Sequence, residues 1–265
     1  MSAALPLPSS PPLIIGATGG SGTRVVARIA RAAGYDIGTR LNAPEDAISF
    51  IPFHDTWIDT VIEAQADDPT APFAAPQAMI EDFHKYLDEH LASAGPRVRE
   101  PGARWGWKAP RTLLLLPFLH AQFPGMKFIH ILRDGRDMAF SKNQNQLRLH
   151  GQALLSWREK WFLPKAVQSI LIWERANLRG ARYAEAHLGS NYMTATFEDL
   201  CQKPEETTAR ILRFLESPEV DAAELGRGEV TAPATVGRWR AQPPELIKRL
   251  EDVAGTSLRK FGYLS

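Results

Sequence analysis

The chain has 265 residues, 44% hydrophobic and 23% charged, enough for one large globular domain that needs neither disulfides nor a structural metal to fold. Thirty-one Lys+Arg against thirty Asp+Glu leave a net charge of +1, which argues against a general nucleic-acid coat but not against a local basic pocket. Cys201 is the single cysteine, so an internal disulfide and a cysteine-rich zinc site are excluded, and a reducing, cytoplasmic setting is expected.

Met1 to Pro12 carries four prolines and three serines, has no basic segment and no apolar core, and reads as a disordered leader rather than a signal peptide. The domain proper is expected over 13–265. Leu13-Ile14-Ile15, ending at Gly16, suits a buried strand. Glycines follow, then a helix from Thr23 to Ala33 that Gly34 stops. Strand, glycine-rich turn and helix open a nucleotide-binding α/β domain. Residues 36–76 show no sustained period and read as a long, functional loop. Gln77 to Ser93 places Met79, Ile80, Phe83, Tyr86, Leu87 and Leu91 on one helical face.

Further on, a short strand is expected at Trp105 to Lys108 and a buried helix at Thr112 to Phe123. Lys127 to Leu132 (KFIHIL) is a second buried strand, with one helix from Gly135 to about Leu147 after it. Residues 152–187 are mostly helical, Tyr192 to Phe197 is a third strand, and Pro204 to Glu216 a helix. Residues 219–242 are loop-like, and a last helix is expected at Pro244 to Ala254. The longest apolar run, Leu113 to Leu119, is broken by Pro117 and falls far short of the roughly 20 residues that span a bilayer. The fold class is a single α/β domain with a central parallel sheet flanked by helices.

Gly16-Ala17-Thr18-Gly19-Gly20-Ser21-Gly22-Thr23-Arg24 has the makings of an anion site, because backbone amides in such a turn and at the helix N-terminus point outward. It lacks the Gly-Lys-Ser/Thr ending of a Walker A loop, and it does not match G-x-G-x-x-G. Arg24, in the first helical turn, opposes the helix dipole unless an anion sits there. The second strand delivers Arg133, with Ser141 eight residues on, to the strand end where α/β ligands bind. Arginine there can grip a phosphate in a bidentate fork, although an Arg–Asp surface network is the competing reading.

These two segments together resemble the sulfotransferases that use 3′-phosphoadenosine 5′-phosphosulfate (PAPS), which have a P-loop-like α/β fold. The resemblance implies that Gly20, Ser21, Gly22, Thr23 and Arg24 hold the 5′-phosphosulfate, and that Arg133 and Ser141 hold the 3′-phosphate. Three further segments are similar to the family in the same order. Trp107-Lys108-Ala109-Pro110-Arg111 resembles the strand that brings a lysine to the sulfuryl group. Thr196-Phe197-Glu198-Asp199-Leu200 resembles a strand-to-helix stretch that usually begins with tyrosine. Val236-Gly237-Arg238-Trp239-Arg240 resembles the basic loop that closes on the 3′-phosphate. The implied nucleotide site therefore also takes in Phe197, Gly237, Arg238 and Trp239.

Two departures stand out. The family's loop usually carries Lys or Arg where Gly20 stands, so Arg24 and Lys108 must supply that charge. Its common catalytic histidine falls at Pro110, which cannot act as a base. Related branches use a carboxylate beyond the first helix, and Asp46 is the first candidate, ahead of Glu45, Asp55 and His54. A first-turn helical carboxylate is the competing reading for Asp46.

The implied reaction moves a sulfuryl group from PAPS to a hydroxyl or amine and releases adenosine 3′,5′-bisphosphate. It needs no metal, and no metal site is expected. The acceptor could be a glycan, a lipid or a small metabolite; no nucleic-acid partner and no membrane span are expected. A P-loop-type kinase or NTPase, or a non-catalytic nucleotide-binding protein, is the alternative. His130 inside its strand and the Trp105/Trp107 pair read as core, and Lys142, Arg148, Arg158, Lys160 and Lys165 as a solvated face.

Overall fold

The computed structural model describes residues 7–230 and 233–265. Its elements run β1 (Leu13–Ala17), α1 (Thr23–Ala32), α2 (Ile51–Ala64), α3 (Gln77–Ser93), β2 (Gly106–Lys108), α4 (Leu116–Gln122), β3 (Lys127–Leu132), α5 (Gly135–Ala139), α6 (Asn145–Leu154), α7 (Trp157–Phe162), α8 (Lys165–His187), β4 (Tyr192–Thr196), α9 (Phe197–Gln202), α10 (Pro204–Phe214), α11 (Ala222–Glu229) and α12 (Pro244–Lys260). Among the described residues the strands form one parallel sheet in the order β2-β1-β3-β4. No described helix is long and apolar enough to cross a membrane.

Alternation along the strands splits the core between two sheet faces. Leu13, Ile15 and Ala17 pack with Val26 and Ile29 of α1 and Ile211 and Leu212 of α10. Ile14 and Phe128 face the larger cluster built by α2, α3, α4 and α8. Trp105 and Trp107, both about 1% exposed with ring centroids 6.0 Å apart, lie in that cluster as strand-face core residues. His130, fully buried, is satisfied by the Tyr192 hydroxyl and Asn177 Oδ1, each at 2.9 Å.

Several expected boundaries move. The irregular stretch 36–76 contains α2: Pro52 sits in the first helical turn, where a missing N–H costs nothing, and Phe53, Ile58, Val61 and Ile62 turn inward. Residues 110–122 begin as a 3₁₀ segment, Pro110–Leu115, and become α-helical at Leu116. The single helix expected from Gly135 to Leu147 is two, with a break over Phe140 to Gln144. Residues 219–242 include α11, whose first amides, Ala223 and Glu224, donate to the Asp221 carboxylate. The last helix continues to Lys260 past a kink at Ala254.

Met1 to Pro6 of the expected leader lie outside the described residues. Its remainder is tied to the domain: Trp105 Nε1 donates to the Ser10 carbonyl at 2.7 Å, and Lys127 N to that of Pro12 at 3.0 Å.

Candidate active site

The chain leaves β1 toward β2 and leaves β3 toward β4, so a crevice opens between the C-terminal ends of β1 and β3. Ligands of open parallel sheets bind in that position. A cavity of about 920 Å³ opens there, and its lining includes Gly19 to Arg24, Asp46, Asp55, Ser141 and Phe197.

One wall is the glycine-rich turn. Gly20 and Gly22 both adopt left-handed backbone, φ +80° and +76°, which curls the loop so that it enters α1 without a side-chain cap. A Cβ on Gly22 would stand 2.1 Å from the Phe197 ring, so the loop and α9 meet only because residue 22 has no side chain. Ser21 is buried and its hydroxyl donates to the Thr18 carbonyl, which makes it a brace for the loop. The first-turn N–H groups of α1 have no intrahelical acceptors. With no acidic side chain in that turn and Arg24 exposed beside it, the local field favours an anion.

Another part of the lining is the loop from Asn42 to Ala47, whose Glu45 is ion-paired to α1. The first-turn helix considered for Asp46 does not form. Instead Leu41 and Ala47 make an antiparallel bridge, and Asn42 clasps the turn by accepting from Asp46 N at 2.8 Å and donating to Asp46 Oδ2 at 3.2 Å. The other carboxylate oxygen takes a bond from Lys108 Nζ at 2.5 Å, and the same ammonium reaches the Pro44 carbonyl at 2.6 Å. Lys108 ends β2 and its side chain is 1% exposed, whereas that of Asp46 is 24% exposed and lines the cavity. Burial lowers the Lys108 pKa and Arg24 adds to this, while Asp46 pulls the other way.

Of the other base candidates, two are ion-paired and one, His54, also lines the cavity. Glu45, at φ +65°, is forked between Arg28 and Arg31 at 2.8 and 2.7 Å. Asp55 pairs with Arg111. His54 is buried with its pKa well below the ordinary value, through burial and the nearby Arg111 charge.

Ser141 lines the cavity, but not from two turns along a helix. It stands in the break after α5, where its hydroxyl accepts from Asn143 N at 3.2 Å. Arg133 is 6% exposed and lies behind the lining, donating to the Gly20 carbonyl at 3.0 Å and to Thr235 O and Oγ1 at 2.8 and 3.1 Å. Its guanidinium lies 5.0 Å from the Phe197 ring centroid, and its buried Nε has no partner among the described residues. Arg238 Nε reaches the same Thr235 carbonyl at 3.2 Å. Gly237 N and Trp239 N donate to buried Asp137 at 2.7 and 3.2 Å, and Trp239 stacks 3.8 Å beneath Arg136. The late basic loop and Arg133 are thus joined through Thr235 and Asp137, and Gly237, Arg238 and Trp239, like Arg133, are not among the residues that line the cavity.

Sequence reasoning missed one part of the wall. Arg111 lines the cavity and links Asp55 to His150, whose Nε2 accepts from Arg111 Nε at 3.2 Å. His150 is fully buried, and burial together with Arg111 lowers its pKa to about 3. Asn143, Asn145 and Gln146 also line the cavity. Arg111 and His150 are 39 residues apart, and no local pattern pairs them.

A glycine-rich turn and a carboxylate lining one cavity at the switch point of a parallel sheet define an α/β protein with its ligand cleft at the strand ends. The family model described as "Sulfotransferase family" matches residues 11–221, and the chain belongs to that family. Sulfotransferase STF9 from Mycobacterium avium shares 13% identity at a TM-score of 0.55, over 97% of this chain and 77% of that one. The sulfotransferase domain of the Synechococcus PCC 7002 olefin synthase shares 15% at 0.52, over 95% of each chain. A sulfotransferase from Alicyclobacillus acidocaldarius shares 17% at 0.51, over 95% and 94%. No curated protein matches. The protein is a sulfotransferase with the P-loop-like fold of these relatives, and the kinase alternative is not favoured.

Proposed function

We propose that the protein transfers a sulfuryl group from PAPS to a hydroxyl or amine held between the glycine-rich turn and the Asn42–Ala47 loop. The observation that carries this reading is Asp46, held by buried Lys108 and lining the same cavity as the glycine-rich turn and the α1 N-terminus. The residues present fit the donor: a cradle that only glycine can form at residue 22, a helix N-terminus without a side-chain cap, and a buried arginine whose Nε has no partner among the described residues. Gly20 to Arg24 would hold the 5′ end, and Arg133, Ser141 and Arg238 the 3′-phosphate, with Phe197, Gly237 and Trp239 shaping that end.

When bound, PAPS supplies a sulfuryl group already activated by its link to phosphate. Transfer of this kind asks the protein for positioning and charge stabilisation. Arg24 and the first-turn amides of α1 stabilise negative charge at the leaving phosphate. Asp46 accepts the acceptor's proton as the new bond to sulfur forms. Lys108 and Asn42 fix the two Asp46 oxygens. Lys108 spends two of its three donors on Asp46 and Pro44, so its charge acts on the site through the Asp46 carboxylate.

Thermal shift with adenosine 3′,5′-bisphosphate, ATP and GTP tests the nucleotide site, since only a ligand of the folded state raises stability. The bisphosphate alone should raise Tm, and radiolabelled PAPS should then pass its label to an acceptor in a screen of glycans, lipids and small metabolites. Stabilisation by ATP but not by the bisphosphate would overturn the donor assignment.

A further inference from the structure

Three of the large apolar side chains most exposed to solvent stand on one short helix, α7: Trp157, Trp161 and Phe162, at 60, 80 and 74% exposure. The helix buries none of its residues. It is nevertheless firmly built. Ser156 and Glu159 form a reciprocal capping box, and both Glu159 oxygens are held by Arg175 of α8 at 2.6 and 2.9 Å. The rings are therefore displayed on a fixed support. Arg158, partly exposed Lys160 and Lys165 flank them, Arg158 lying 5.3 Å from the Trp157 ring centroid, and the one carboxylate of the helix is the one tied to Arg175.

We infer that α7 docks the protein onto an anionic lipid surface, with the rings entering the headgroup–acyl boundary and the cations meeting lipid phosphates. Tryptophan and phenylalanine beside lysine and arginine suit such an interface, which is apolar at one depth and negatively charged at the next. Area argues against a second protein copy. At these exposures three rings offer on the order of 400–500 Å², short of the roughly 800 Å² per partner of a stable interface. A bilayer requires no complementary shape and accepts rings that project singly. Helix α6, about 15 Å long, connects this tip to the Asn145–Leu149 edge of the cleft.

The test is co-sedimentation of the whole chain with vesicles of phosphatidylcholine containing about a third phosphatidylglycerol, beside pure phosphatidylcholine vesicles. The unaltered protein should sediment with the anionic vesicles at low salt and release as salt screens the contact. The double variant W161A/F162A, altered only at exposed positions, should bind at least about tenfold more weakly, as should R158Q/K160Q/K165Q. Bromine-labelled acyl chains should quench part of the tryptophan fluorescence, and W157F/W161F should remove the quenched part. Absence of sedimentation by the unaltered protein, equal sedimentation of W161A/F162A, or a concentration-dependent dimer that W161A/F162A dissolves would each overturn the inference. None of these readouts uses donor nucleotide, so they stand or fall apart from the proposed sulfuryl transfer.

Discussion

Asp46 owes its place to one residue of its own turn and one far away in the sequence. Asn42 clasps its backbone and one oxygen, and Lys108, 62 residues away, takes the other. A carboxylate pinned at both oxygens keeps a fixed lone-pair direction toward the cleft, which is what proton abstraction at about 2.6–3.2 Å demands. Asp46→Asn should retain binding of adenosine 3′,5′-bisphosphate and lose at least about a hundredfold in turnover, the low end of general-base effects. Lys108→Ala removes a buried cation and should leave Asp46 mispositioned, lowering kcat more than it raises KM. Steady-state kinetics beside calorimetric nucleotide binding separates the two effects. Full activity in Asp46→Asn would remove the base assignment; because Glu45 and Asp55 are engaged by arginines, the remaining readings would be His54, which lines the same cavity, or an acceptor that ionises without help.

At the scale of elements, the site is two loops hung from adjacent strand ends and braced against each other. Arg133 leaves β3, donates to the Gly20 carbonyl of the β1 loop, and catches Thr235 from the late basic loop. Exchanging a neutral carbonyl partner for a phosphate oxygen is favourable, since charge-assisted bonds are roughly twice as strong. Arg133→Ala should accordingly weaken bisphosphate binding by about 1.5–3 kcal/mol, Arg238→Ala by a similar amount, and Ser141→Ala by less; calorimetry showing both arginine variants unchanged would refute the assignment. These strands were legible in the sequence because a parallel strand buried on both faces is a continuous apolar run, as KFIHIL is. Helix α2 was not, because Pro52 looks like a breaker until it is seen in a first turn. The break between α5 and α6 was hidden as well: Phe140 to Gln144 carries no glycine or proline, yet the break is what presents Ser141 to the cleft. Both cradle loops were visible as glycine and arginine patterns, whereas the Arg111–His150 contact depends on how α6 lies against the residues after β2, which only packing decides.

The whole molecule carries a pH sensitivity that no single element shows. Of its seven histidines, His54, His90, His130 and His150 are buried, and burial lowers the pKa of each. His130 falls to about 4, an Asn177 hydrogen bond partly opposing, and His150 to about 3 with Arg111 adding to the effect. Between those values and the ordinary 6.5 the unfolded chain binds protons that the folded chain refuses, so stability rises with pH through that window. It is fully present above about 6.5 and is lost progressively on acidification. Each such histidine contributes a slope of about 1.4 kcal/mol per pH unit, so His130 and His150 together should give roughly 3 kcal/mol per unit near pH 5. Urea unfolding at several pH values from about 5 to 7.5 should show that slope, with uptake of about two protons or more per molecule unfolded. His150→Gln keeps an acceptor for Arg111 without a titrating ring, and should reduce the uptake by about one proton. An unchanged slope in that variant would mean that His150 is charged in the folded protein, and the Arg111 contact as described could not then exist, because a doubly protonated ring has no lone pair to accept it.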